Sequence, residues 1–124
     1  MADIPAISDA EWEVMNVVWD QTRVTAAEVV ESLAGRFEWH PRTIKTMLNR
    51  LVKKGALLFE AQGKRYVYRA AAKREQCVRS ESRSFVDRVF GGAMGAMLLH
   101  FVSQADLSPE QIKELRELLA RKSK

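Results

Sequence analysis

The chain has 124 residues, of which 47% are hydrophobic and 29% are charged, a composition that indicates a small globular protein and excludes a disordered one. Its single cysteine, Cys77, excludes an intramolecular disulfide and any metal site built from several thiolates of one chain. The net charge is only +4, yet residues 36–74 hold eleven basic and two acidic residues, a concentration that is typical of proteins that bind a polyanion.

The N-terminal third contains two helix-start patterns of the capping-box type, in which a Ser or Thr hydroxyl and a Glu carboxylate each bond the other residue's backbone N–H. Ser8 and Glu11 predict a first helix over residues 9–20. Thr25 and Glu28 predict a second helix over residues 26–33, which ends before Gly35. The first helix is expected to present one apolar face, formed by Trp12, Met15, Val18 and Trp19.

The third helix is predicted over residues 41–54, because Pro41 suits a first helical turn and Gly55 suits the position just past a helix end. Its apolar stripe consists of Ile44, Met47, Leu48, Leu51 and Val52. The opposite side carries no carboxylate and consists of Arg42, Lys45, Thr46, Asn49, Arg50 and Lys53. Groups of these kinds bond phosphate oxygens and base edges, so we interpret the segment as a DNA recognition helix. A basic surface helix without a ligand is the alternative.

His40 stands at the start of this helix, where Ser, Thr or Asp is the usual capping residue. The sequence therefore predicts either a weaker cap or another task for the imidazole. One such task is a phosphate contact. The other interpretation is a structural histidine whose bonding groups are satisfied within the fold.

After Gly55 the pattern changes from helical to extended. Residues 57–59 and 66–68 are apolar, β-branched or aromatic, and the pair Gln62–Gly63 between them indicates a turn, so a two-stranded hairpin is expected. Lys64 and Arg65 at its tip predict a wing that reaches the DNA backbone beside the recognition helix. The alternative is a hairpin that only covers the core. Both interpretations hold if the hairpin turns three side chains inward: Leu57, Phe59 and Val67.

The C-terminal part is predicted to be helical over residues 73–90, over the almost wholly apolar residues 93–102, and from Pro109 onward after a capping Ser108. A segment of about fifty residues is too short to bury the apolar residues 93–102 in a core of its own. Exposed apolar surface normally marks a site where a partner binds. A second copy is the simplest partner, because a twofold dimer presents two recognition helices to a palindromic site. The predicted dimerisation residues are Phe85, Val89, Met94, Met97, Leu98, Phe101, Ile112, Leu115, Leu118 and Leu119.

Together these elements predict a mainly α fold with a small β-hairpin. A winged helix-turn-helix domain is expected over residues 1–72 and a helical dimerisation domain over residues 73–124. The expected function is that of a dimer that binds a palindromic site in double-stranded DNA. Phosphate contacts are expected from Lys53, Lys54, Lys64 and Arg65, and sequence preference from Arg42, Thr46, Asn49 and Arg50.

Several motifs resemble the BlaI/MecI/CopY family of penicillinase-type repressors. They are the run W-x-P-x-T-I-x-T-M-L over residues 39–48, R-L-x-K-K-G over residues 50–55, the wing ending Y-V-Y over residues 66–68, and D-L-S over residues 106–108. The resemblance covers nearly the whole chain. It implies an N-terminal winged helix, a C-terminal dimerisation domain and repression at palindromic operators. By position it also implies that Arg42, Thr43, Thr46 and Arg50 read bases and phosphates, and that Lys64 and Arg65 are wing contacts.

Two departures concern the inducing signal. The β-lactam-responsive members of this family are inactivated by cleavage at an Asn-Phe bond after a membrane sensor is triggered, and the matching pair here is His100-Phe101. The resemblance implies a sensor protease that acts near that bond as a partner, whereas the change from Asn to His departs from the family's cleavage site. The copper-responsive members carry paired C-x-C motifs near the C-terminus, and this chain has none.

Other classes of function have less support in the sequence. A winged helix used only as a protein-interaction module needs no cationic outer face. An enzyme is not expected, because no nucleophile–base pair, metal-ligand spacing or glycine-rich phosphate loop is present, and neither a cofactor nor a metal is predicted.

Cys77 could form an intersubunit disulfide or share a metal with His100, Met94 and Met97, although such methionines are more often core residues. No apolar run approaches the ~20 residues of a membrane span, and the N-terminus is no secretion signal, so a cytoplasmic protein is expected.

Overall fold

The computed structural model describes residues 4–123 and divides the chain into two compact units, residues 1–82 and residues 83–124. In chain order the elements are α1 (Asp9–Gln21), β1 (Val24–Thr25), α2 (Ala26–Leu33), α3 (Pro41–Lys54), β2 (Leu57–Gln62), β3 (Arg65–Ala70), α4 (Arg74–Phe90), α5 (Met94–Gln104) and α6 (Pro109–Lys122). The predicted fold class, mainly helical with a small sheet in a winged helix-turn-helix arrangement, is confirmed. Among the described residues no single helix is long and apolar enough to cross a membrane, although α4 and α5 reach that length together across a 92° bend.

The helix starts follow the local sequence signals closely. Ser8 and Thr25 each open a helix with a reciprocal capping box, as predicted, and Ser108 forms a third box with Gln111. At the far end of α3, Gly55 adopts φ +85°, the left-handed conformation that glycine adopts without strain, and thereby ends the helix. The starts of α1 and α2 and the end of α3 are therefore set by local caps.

The core of the first unit lies where α1, α2 and α3 meet the sheet. The α3 stripe is buried as predicted at Ile44, Met47, Leu48 and Leu51, and Val52 is half-buried. The face of α1 was predicted less well. Val14 and Val17 are buried beside Met15 and Val18, whereas Trp12 and Trp19 lie at the edge of the core, half-buried. Trp19 keeps its indole N–H bonded at 3.0 Å to the carbonyl of Ala72, as a half-buried indole requires.

The sheet has three strands in the order β1-β3-β2, so the prediction of a two-stranded hairpin missed one strand. Val24 pairs with Tyr68 and Thr25 pairs with Val67, which ties the segment between α1 and α2 to the wing. Two residues are too few to show the alternating pattern by which strands are recognised, which explains the omission. At the tip, Gln62 pairs with Arg65 and Gly63 adopts φ +65°, so that a two-residue turn joins β2 and β3.

The side chains of the wing differ in part from the prediction. Leu57 is fully buried, as expected, but Phe59 is 50% exposed. Val67 pairs with Glu60, one position away from the pair of Phe59 with Tyr68, so Val67 points to the opposite face of the sheet from Leu57. Tyr68 takes the inward place instead and is 7% exposed. The hairpin therefore covers the core with Leu57 and Tyr68 and leaves its outer end to solvent.

The second unit consists of the C-terminal part of α4 together with α5 and α6. Phe85, Phe90 and Phe101 form an aromatic cluster with ring centroids 6.0 to 6.2 Å apart. Val86 is the one hydrophobic side chain of the described part of this unit that is buried. Most of the other apolar side chains of the unit face solvent.

Candidate nucleic-acid interface

The outer face of α3 is exposed at each residue predicted to bind DNA, namely Arg42, Thr43, Lys45, Thr46, Asn49, Arg50, Lys53 and Lys54. The side chains of Arg42, Lys45, Arg50 and Lys53 form no hydrogen bond or ion pair with the described residues. No acidic residue occurs in α3 at all. The helix thus presents four unneutralised cations on a surface that an anion can approach.

Thr46 is held in a defined orientation on this face. Its hydroxyl donates to the carbonyl of Arg42 at 3.0 Å, the bond that Ser and Thr often form with the residue four positions earlier in a helix. The hydroxyl oxygen remains able to accept a hydrogen bond, and the methyl group stays free for apolar contact. Thr46 therefore suits a base edge that donates a hydrogen bond or carries a methyl group.

The N-cap of α3 is His40 itself. The Nδ1 atom of His40 accepts the backbone N–H of Arg42 at 3.0 Å, so the imidazole caps the helix in place of a hydroxyl or carboxylate. The carbonyl of His40 accepts the N–H groups of Thr43 and Ile44 at 2.9 and 3.3 Å. Since Pro41 has no N–H, each backbone donor in this turn already has a partner.

The wing tip and α3 line one groove of about 640 Å³. Lys45 and Asn49 enter it from α3, and Lys64 and Arg65 enter it from the wing. The rest of its lining is Thr25, Ala26, Ala27, Val30, Pro41, Tyr66 and Tyr68. The structure therefore brings the recognition helix and the wing together, and it adds the first turn of α2, which the sequence analysis did not include. The capping box at Thr25 was the sequence signal that could have indicated it.

Arg65 lies within electrostatic reach of the first turn of α2. The pKa of the Glu28 carboxyl lies below its usual value because the backbone and side chain of Thr25 bond it, and because the charge of Arg65 is nearby. Glu28 is the acid of the second capping box, so its carboxylate is directed back to the Thr25 N–H at 2.8 Å. The carboxylate of Glu28 is thus already bonded within the protein.

Lys54 differs from the other lysines of α3. Its Nζ atom lies 2.5 Å from the Glu11 carboxylate and 3.0 Å from the carbonyl of Ala6. The Glu11 side chain is only 3% exposed and also accepts the Ser8 N–H at 2.9 Å. Burial opposes ionisation of Glu11, but the bonds from Lys54 and Ser8 outweigh it and hold the pKa of this carboxyl below its usual value. This lysine, predicted as a phosphate contact, ties the end of α3 to the start of α1.

The predicted dimerisation residues lie mostly on the surface of the second unit. Val89, Met94, Leu98, Phe101, Ile112, Leu118 and Leu119 are between 40% and 61% exposed. Phe85, Met97 and Leu115 are half-buried. Leu99 and Val102, which were not predicted, are 75% and 50% exposed. Apolar exposure on this scale within some forty residues is unusual for a surface that faces only water.

Cys77 lies in the core of the first unit, where 2% of it is exposed. Burial raises the pKa of its thiol, which disfavours the reactive thiolate. Within residues 4–123 no cluster of three or more His, Cys, Asp or Glu side chains is arranged to hold a metal ion. The burial of Cys77 therefore disfavours the intersubunit disulfide and the shared metal that were considered from the sequence.

Comparison with known proteins places these features in context. A family model described as penicillinase repressor matches residues 7–121. The chain is 40% identical over 119 residues to the penicillinase repressor of Bacillus licheniformis, with 96% of this chain and 93% of that protein covered. It is 34% identical over 116 residues to the methicillin resistance regulatory protein MecI of Staphylococcus aureus, with 94% of each covered. The solved structure of monomeric Bacillus licheniformis BlaI in complex with the blaP half-operator matches with a TM-score of 0.54 and 43% identity, over 61% of this chain and 93% of that one.

Proposed function

Because this chain belongs to the penicillinase repressor family, we propose that it represses transcription by placing the outer face of α3 in the major groove of duplex DNA while its wing contacts the adjacent backbone. Like its relatives, it is a winged-helix DNA-binding repressor and not an enzyme. The observation that carries the binding mode is the exposed face of α3, which holds unpaired cations and no carboxylate and shares a groove with a cationic wing tip. We propose the cytoplasm as the compartment, since the target is DNA.

The roles of the individual residues follow from their bonding. Phosphate contacts come from the cations that are unpaired or at the wing tip, which are Lys45, Lys53, Lys64 and Arg65. Base edges are read by Arg42, Thr43, Thr46, Asn49 and Arg50, whose guanidinium, hydroxyl and amide groups suit them. Lys54 belongs to the scaffold, because its ammonium is already bonded to Glu11 and to the carbonyl of Ala6.

A homodimer is the second part of the proposal. Residues 1–72 would form the DNA-binding part and residues 73–124 the dimerisation part, in which the exposed apolar side chains of α5 and α6 are covered by a second copy. The BlaI structure supports this arrangement, since it is of a monomeric form with a half-operator. If one winged helix occupies half of such an operator, a whole operator requires two, and a dimer relates the two by a twofold axis. The operator is therefore expected to be palindromic.

Release from DNA is proposed to act through the same unit. His100 and Phe101 lie inside α5, and both rings lie about 6 Å from that of Phe90. A sensor protease that cut between them would divide the helix that carries Leu98 and Phe101 and so dismantle the dimer face. Mass spectrometry of the protein from induced cells tests this step: fragments that meet between residues 100 and 101 are expected, and an intact chain in cells where repression has been lifted would refute it.

The binding proposal is tested by measuring the affinity of the purified chain for a random-sequence duplex and for a duplex selected from a random pool, over a range of salt concentrations. We expect tight, salt-dependent binding of both and stronger binding of the selected duplex. Lys64→Ala should weaken both by a similar factor and lower the salt slope by about one. Lys113→Ala, which removes a lysine of α6, is the matched control and should leave the slope unchanged. A wild-type chain that binds neither duplex in dilute buffer would indicate a protein-interaction module instead.

A further inference from the structure

His40 occupies an unusual position on the proposed DNA-binding surface. It is exposed, it directly precedes Pro41, and Pro41 lines the groove that Lys45 and the wing tip also line. The Nδ1 atom of His40 accepts the N–H of Arg42, and this bond determines which ring nitrogen carries the hydrogen. A ring nitrogen that accepts a hydrogen bond carries no proton, so in the neutral imidazole the hydrogen resides on Nε2.

The Nε2–H group is free, whereas the backbone around it is not. Among residues 4–123 no acceptor bonds Nε2. Helix starts commonly bind phosphate through their free backbone N–H groups. In α3 no backbone N–H is free to bind phosphate in this way. The N–H groups of Arg42, Thr43 and Ile44 all donate to His40, and Pro41 has no N–H. Beside the side chains of Arg42, Thr43 and Lys45, the donor that this helix start presents to an approaching anion is therefore the imidazole Nε2–H and not a backbone N–H.

We propose that His40 is a DNA-contacting residue that performs two tasks at once: Nδ1 caps α3, and Nε2–H donates to a phosphate oxygen of the bound duplex. This inference rests on the proposed function, since it requires α3 to lie against DNA. The two tasks support each other. The cap holds the ring in one orientation before DNA arrives, so less side-chain freedom is lost on binding than for a lysine. A neutral donor also binds phosphate without releasing a counterion, so its contribution should not depend on salt.

The substitution that separates the two tasks is His40→Ser. Serine is among the preferred N-cap residues and accepts the same backbone N–H groups. Its hydroxyl keeps one hydrogen, but the short side chain holds that donor at the cap, where it does not reach the position of Nε2. We expect the unfolding midpoint to stay near that of the wild type. Loss of one hydrogen bond from a neutral donor to a phosphate oxygen should raise the Kd for the selected duplex about three- to tenfold. The salt slope should be unchanged, in contrast to Lys64→Ala. A His40→Ser chain that binds within twofold of the wild type would overturn the inference and leave α3 as the recognition helix intact.

A methylphosphonate scan of the selected duplex identifies the phosphate itself. Replacing one charged phosphate at a time should reveal a position where the modification weakens the wild-type chain but not His40→Ser, because the contact is already absent in the variant. Equal penalties for both chains at every position would overturn the inference. A wild-type chain that does not bind duplex at all would instead remove the proposed function, and this inference with it.

A measurement on the unmodified protein completes the test and does not depend on how the variant folds. Long-range ¹⁵N–¹H correlation spectra of the wild-type chain should show Nδ1 unprotonated and Nε2 protonated in the free protein. Addition of the selected duplex should then shift the Nε2 resonance strongly. A protonated Nδ1 in the free protein, or an Nε2 resonance that does not move while the duplex is bound, would each refute the assignment.

Discussion

Two neighbouring lysines at the end of α3 should behave in opposite ways when each is replaced by methionine. Lys54 is 36% exposed and bonded to Glu11, whose side chain is 3% exposed. Lys53 is exposed and has no partner among the described residues. Lys54→Met leaves the buried carboxylate without its cation, whereas Lys53→Met removes only a surface charge. Methionine keeps the aliphatic part of both side chains, so the pair is matched in size and position.

The size of the stability effect follows from the burial of the pair. Removing one partner of a buried ion pair typically costs about 3–5 kcal/mol. The exposure of Lys54 to water lowers the value here, and Glu11 keeps its bond from the Ser8 N–H, so we expect a loss of about 2 kcal/mol for Lys54→Met. Lys53→Met should change the free energy of unfolding by less than about 0.5 kcal/mol. Urea denaturation at pH 7, followed by circular dichroism, measures both values.

The pH dependence gives the same prediction a second, independent readout. The pKa of Glu11 is lower in the folded chain than its usual value of 4.5, so the stability that its ionisation contributes is present above that value and is lost as the pH falls through the lower folded pKa. Without the bond and charge of Lys54, the pKa of Glu11 would lie higher than in the wild type, because only the bonds from Ser8 would oppose the effect of burial. The difference in stability between wild type and Lys54→Met should therefore be largest near neutral pH and should shrink in acid. A difference that is constant over this range would show that the effect is not electrostatic.

In the DNA-binding assay, Lys53→Met should have the larger effect and Lys54→Met the smaller one, the reverse of their effects on stability. Lys53→Met should lower the salt slope by about one, and Lys54→Met should leave it unchanged once the fraction of folded protein is taken into account. Equal unfolding midpoints for the two variants, or equal loss of salt slope, would refute the assignment of Lys54 to the scaffold and Lys53 to the interface.

Three further predictions concern other parts of the chain. Arg42→Ala should weaken binding to the selected duplex by roughly 1–3 kcal/mol and binding to random duplex much less, measured by fluorescence anisotropy; equal losses would show that Arg42 contacts phosphates alone. Leu119→Glu puts a charge at a position that is 61% exposed and should convert a dimer into a monomer in sedimentation experiments while the helical circular dichroism signal is retained; a dimer of unchanged affinity would exclude this face. Gly63→Ala forces a side chain into φ +65° and should lower stability by about 1 kcal/mol or more; an unchanged melting temperature would contradict the turn geometry.

The sequence by itself determined the helices and the cationic face. Caps and helix ends act over three or four residues, so Ser8, Thr25 and Gly55 could be recognised from their immediate neighbours. The outer face of α3 follows from the helical repeat alone once the apolar stripe is assigned to the core. The excess of apolar side chains in residues 93–102 could likewise be read directly, and their exposure in the structure agrees with that expectation.

Contacts between residues far apart in the chain were decided only by the tertiary structure. Glu11 and Lys54 are separated by 43 positions, and each has an ordinary local interpretation, one as a capping acid and the other as a basic residue of the recognition helix. The pairing of β1 with β3 and the inward turn of Tyr68 depend on strand register, which two residues of β1 cannot specify. Hydrogen bonds of a cap are local and can be anticipated. The partner of a charged side chain depends instead on which segments the packed core brings together, and for Lys54 that partner is the carboxylate of Glu11.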